Sequence, residues 1–249
     1  MSLRSIPRFD RLERIVHWSN ATLFFVLIAT GASLYITPLA TLVARRELVK
    51  TIHLWAGFLL PIPVLLGLLL PAGRQFRRDI ARANRFTNDD RLWWSKRTRP
   101  RAQLGKFNPG QKLNVVFIGA AIVIMLGTGS LMYWPDELNL RDSWRTGATF
   151  VHDWMFVVLC VVIAGHVMFA WRDKASLQSM RTGSVPEEWA RAERTRWWAE
   201  MVRESANATE HVEAGVDEGL SEAFLGAGEV TLVDPVDGRA GDGGGRREL

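Results

Sequence analysis

The chain has 249 residues, one cysteine and a net charge of +5, and 48% of it is hydrophobic. One cysteine excludes an internal disulfide framework, a cysteine-built zinc or iron–sulfur site, and a CxxCH attachment of a prosthetic group. The basic charge is concentrated in the apolar part: residues 1–172 carry 22 Lys and Arg against 10 Asp and Glu, and residues 173–249 carry 9 against 16. A membrane surface accounts for that arrangement; it argues against nucleic acid as the partner.

In chain order, a basic N-terminus leads into an apolar run at about residues 15–36. The run is long enough to span and no A-x-A-like cleavage site follows it, so it reads as a retained first helix. A second run, about 52–71, contains Pro61 and Pro63, and a kink is expected there. The stretch 73–112 holds twelve basic residues, among them Lys106 and Lys112. Third and fourth runs follow at about 113–134 and 149–171. Trp18, Trp55, Trp134, Trp154 and Trp171 fall near the ends of the runs, where amphipathic rings favour the lipid boundary. The reading is an all-α integral membrane four-helix bundle over residues 1–172. By the positive-inside rule the long loop and both termini are cytoplasmic. Residues 173–203 mix Trp189, Trp197 and Trp198 with many charges and read as a cytoplasmic amphipathic extension. Residues 204–249 are polar, acidic and Gly-rich, and read as a disordered tail.

Four of the five histidines lie in or at the edge of the apolar runs: His17, His53, His152 and His166. Ionisable groups at such depths are costly and mark function. His152 and His166 are fourteen residues apart, about 40° short of four full helical turns, so they share a face and stand about 21 Å apart along the axis. With the first helix starting inside and the second outside, His17 is level with His166, and His53 with His152. Two pairs on different helices, one per leaflet, match what iron in a haem needs: one neutral imidazole on each face. The expectation is two haems in the bundle core, pairs His17/His166 and His53/His152. Gly31, Gly57, Gly127, Gly129 and Gly165 are candidates for letting a macrocycle approach the backbone, against the plainer reading of close helix packing. Arg14, one turn before His17, is a candidate for the inner propionates; Arg45, Arg46 or Lys50 could serve the outer ones. A proton transporter would instead place carboxylates or broken helices at the midplane. A zinc site would need ligands that converge.

The segment order, ERIVHW around His17, HLWAG around His53, the His152–His166 spacing and the loop GKFNPGQK at residues 105–112 resemble the membrane cytochrome b (gamma) subunit of respiratory formate dehydrogenase. The likeness covers about residues 7–203, including MRTGSVPEEWARAERTRWWAE after the fourth helix. It implies two haem b groups and electron entry at the outer haem from an iron–sulfur subunit. That subunit would be joined to a selenocysteine- or cysteine-containing molybdenum or tungsten catalytic subunit. It further implies menaquinone reduction on the cytoplasmic side beside His166, at the loop residues Asn108, Gly110 and Gln111. It leaves a higher oligomer open. Read without the resemblance, the Asn-Pro-Gly there is a turn starting the third helix. Two-haem cytochromes b of hydrogenases and thiosulfate-type reductases share the histidine pattern, so they remain the alternative. A haem-free membrane anchor and a proton transporter are alternatives of another class.

Overall fold

The structure is a computed structural model that describes residues 5–139 and 141–210; His211 and the expected tail beyond it lie outside the described residues. The chain divides into units 1–200 and 201–249; of the second, residues 201–210 are helical, so helix occupies the start of the stretch expected to be disordered.

Four helical segments among the described residues are long and apolar enough to span a membrane. The first, α1 (Arg11–Tyr35), is opened by a capping box. Asp10 accepts from Glu13 N at 2.7 Å, and the Glu13 carboxylate accepts from Asp10 N at 2.8 Å, which satisfies two of the helix's free N–H groups. A short α2 (Thr37–Val43) follows. The second span runs over Arg46–Leu69 and is broken into α3 (Arg46–Leu59) and α4 (Ile62–Leu69) where Pro61 supplies no N–H and interrupts the ladder. The third is α7 (Pro109–Tyr133) and the fourth α8 (Asp142–Arg172). At 1.5 Å per residue α8 is about 46 Å long, more than a hydrocarbon core requires, so its charged first turn stands clear of the lipid. Large apolar side chains face outward from the spans: Leu69 is 78%, Trp171 70% and Val161 69% exposed. In water that would be unfavourable; in lipid it is the expected solvent face.

The N-terminus, the central connection and the extension assemble on one side. Between the second and third spans lie α5 (Arg74–Ala83) and α6 (Asn88–Trp94), and after the fourth span come α9 (Lys174–Thr182), α10 (Glu187–Glu193) and helical residues 195–200. The N-terminal strand β1 (Ser5–Pro7) pairs antiparallel with β2 (Ser184–Pro186), Ile6 opposite Val185. This ties the two flanks of the four-helix region together.

The loop cations are mostly structural. Lys112 reaches Asp90 at 2.7 Å and the Arg85 carbonyl at 2.9 Å, both ionic partners almost fully buried. Lys106 pairs with Asp79, beside Glu13. Burial pulls the Lys106 ammonium below its ordinary value, and the Asp79 carboxylate opposes that. Arg8 is buried too, donating to Ser176 at 2.9 Å and the Lys106 carbonyl at 3.1 Å; burial, and then the neighbouring Arg194, lower it to about 9. Arg8 and Arg194 both stack on Trp189. These ties make the basic face a folded cap on one end of the bundle.

Candidate haem sites

The helix starts set the depths of the histidines. His17 lies two turns into α1, just past the Asp10 box, while His53 lies two turns into α3 from the opposite side. His152 and His166 both stand on α8, which is unbroken between them, so the two positions remain about 21 Å apart along its axis.

The rings meet in two pairs. His17 and His166 have ring centroids 6.3 Å apart, and His53 and His152 likewise 6.3 Å. Two imidazoles sharing one iron through nitrogen would have ring centres about 6 Å apart, and each pair has that spacing. His17 Nδ1 is buried without a partner. In the other pair, Nδ1 of His53 lies 2.8 Å from Thr30 Oγ1, and Nδ1 of His152 lies 2.9 Å from Thr128 Oγ1. Those bonds leave the Nε2 atoms as the free donors. Neutral nitrogen donors in facing pairs, between apolar helices, fit haem iron. Two imidazoles to one haem iron would leave no position for oxygen or substrate, so such a site would serve electron exchange.

The other residues singled out in the sequence separate. Gly129 lies against His152: a Cβ there would meet the ring's Cε1 at 3.5 Å. Gly31 lies equally close to His53. Gly57 faces Leu27, and at Gly127 and Gly165 a Cβ would meet nothing within 4 Å. Arg14 donates to the Arg181 carbonyl at 2.8 Å and the Asp10 carbonyl at 3.3 Å, and Trp18 Nε1 donates to the Met180 carbonyl at 2.9 Å. Both side chains thus pin α9 beside the His17 end of α1. Arg46 reaches the Leu34 carbonyl at 3.4 Å, and Lys50 lies over the Tyr133 ring.

Asn108 and Gln111 form the capping box of α7: Asn108 Oδ1 accepts from Gln111 N at 2.8 Å and Gln111 Oε1 accepts from Asn108 N at 3.0 Å. Pro109 sits at the first helical position, which it suits. The turn reading of Asn-Pro-Gly is therefore correct as structure. It uses both amide oxygens and leaves both side-chain NH2 groups able to donate. Gly110 is close to Trp93, with room for a Cβ.

Sequence reading missed Thr30 and Thr128. The available signal was the Thr-Gly dipeptide occurring once in each helix facing an outer histidine, at residues 30–31 and 128–129.

The chain is similar to known proteins over most of its length. The sequence profile described as prokaryotic cytochrome b561 matches residues 8–183. The nitrate-inducible formate dehydrogenase cytochrome b556(Fdn) subunit of Escherichia coli K12 is 24% identical over 230 residues, covering 86% of this chain and 98% of that protein. The formate dehydrogenase cytochrome b556(fdo) subunit of the same organism is 24% identical over 219 residues, covering 83% and 98%. The formate dehydrogenase cytochrome b556 subunit of Haemophilus influenzae is 26% identical over 210 residues, covering 79% and 84%. With four apolar spans and a family match over most of its length, the chain belongs to the prokaryotic cytochrome b561 family, haem b proteins of the cytoplasmic membrane.

Proposed function

We propose that this chain is the cytochrome b subunit of a respiratory formate dehydrogenase, conducting electrons from an iron–sulfur partner outside to menaquinone at the cytoplasmic face. The observation that carries it is the pairing of four histidines at two depths with ring centres 6.3 Å apart; the formate dehydrogenase relatives supply the electron donor. In this reading His53 and His152 hold the outer of two b haems, and His17 and His166 the inner. A haem bound by two imidazoles supplies one-electron exchange and nothing more. Everything else is done by the polypeptide. The helices keep both sites in an apolar medium that excludes side reactions with water. The NH2 groups of Asn108 and Gln111, with the backbone at Gly110, donate to a quinone oxygen beside His166. The same loop faces cytoplasmic water, the source of the protons the reduced quinone takes up. Moving each electron inward across the field involves about 2.3 kcal/mol per 100 mV, so the reaction charges the membrane without a proton channel.

The test is the complex carrying His166→Ala. Formate-driven reduction of an artificial dye should persist at the wild-type rate, because the dye accepts electrons from the partner subunits, while menaquinol formation falls at least a hundredfold. Menaquinol formation at the wild-type rate would overturn the proposal. Purification through this chain identifies the donor; co-elution of a hydrogenase or another reductase in place of a formate dehydrogenase would replace the partner named here and leave the conduit.

A further inference from the structure

The two histidine pairs differ in what stands behind them. Thr30 Oγ1 is 2.7 Å from the Val26 carbonyl and 2.8 Å from His53 Nδ1. Thr128 Oγ1 is 2.8 Å from the Ile124 carbonyl and 2.9 Å from His152 Nδ1. A helical threonine ordinarily gives its single proton to the carbonyl four residues back. Its oxygen then has only lone pairs to offer the ring, so each imidazole donates from Nδ1 and presents a bare Nε2. In both helices a glycine follows the threonine, and a Cβ built on it would meet the same histidine's Cε1 at 3.5 Å. The ring packs over the small residue, and the threonine before it catches Nδ1. The device occurs twice, once from α1 and once from α7, and both copies serve one pair. The other pair has no equivalent: among the described residues no side chain bonds either ring, and His17 Nδ1 is buried with no partner at all.

We propose that Thr30 and Thr128 are positioning residues that fix the outer histidines for iron and make the outer haem the lower-potential centre. This rests on the two-haem reading above. A hydrogen bond accepted from Nδ1–H pushes electron density into the imidazole and makes Nε2 a stronger donor. A stronger donor favours the ferric state, and ligand hydrogen bonding is one of the levers by which proteins set haem potential. With two such bonds on the outer site and none on His17, electrons entering from outside run downhill to the inner site. The slope is built from hydroxyls in the helices.

The experiment is a redox titration of the intact purified complex, following the b-haem absorbance bands with haem counted per chain. Thr30→Val and Thr128→Val are compared with Thr30→Ser and Thr128→Ser. The wild type should show two one-electron waves. Each valine variant should move the lower wave up by about tenfold in the ferric-to-ferrous equilibrium, about 59 mV for one electron. The upper wave should stay in place, and serine should restore the wild-type value. Loss of one haem from a valine variant that the serine variant retains would support the same role by occupancy. Two retained haems with neither wave moved, movement of the upper wave, or haem loss from the serine variants as well would overturn the inference. A wild type with fewer than two haems would instead remove the two-haem reading beneath it.

Discussion

At the scale of single residues, each outer histidine is bracketed by a threonine and a glycine, and the glycine makes a sharp prediction. A Cβ at Gly129 would sit 3.5 Å from His152 Cε1, so Gly129→Ala should keep full haem content. Gly129→Leu adds three further carbons beyond a Cβ already in contact with the ring, and should lose one haem per chain while the other remains; pyridine haemochrome assay of the purified protein reads this directly. The buried Lys112–Asp90 pair behaves differently. Lys112→Met leaves a buried carboxylate without its cation, a loss of about 3–5 kcal/mol. The thermal midpoint should fall, and Lys112→Met with Asp90→Asn should recover part of it. The sequence showed the four histidines because ionisable groups stand out in apolar runs. Thr30 and Thr128 were hidden because a hydroxyl in a membrane helix can satisfy itself on its own backbone, as both also do. Lys106 and Lys112 looked like topology determinants; their partners lie 27 and 22 residues upstream, too far for any local pattern to show.

At the scale of elements, the start of α7 carries two duties that one substitution can separate. Asn108 caps the helix with its oxygen and keeps its NH2 for a ligand. Serine is an equally good cap and has no NH2. Asn108→Ser should therefore leave thermal stability within about 0.5 kcal/mol of wild type, by analogy with other N-cap exchanges. It should slow menaquinone reduction about tenfold while haem reduction by formate stays unchanged. Equal loss of stability and activity would mean that the residue is a cap and nothing more. Helix positions were legible because apolar length is a strong signal, and the break at Pro61 was legible from its missing donor. Helix ends were less so: α8 begins at Asp142, ahead of the apolar run, since a helix's backbone hydrogen bonds do not stop at the lipid boundary. The strands β1 and β2 were not legible, being three residues each and paired across a sequence separation of 179 residues, from Ile6 to Val185.

At the scale of the molecule, an apolar bundle with two internal imidazole pairs is capped at one end by a folded layer of charged residues. That layer joins the N-terminus, the central loop and the extension, so the loop proposed to receive the quinone is held on a packed base. The whole account depends on each pair holding its own iron. The direct measurement is haem b per chain in purified wild type, His53→Ala and His17→Ala, with reduced-minus-oxidised spectra. Two haems in the wild type and one in each variant, with different halves of the difference band lost, is the predicted result. A wild type with one haem or none, or either variant keeping both, would contradict it.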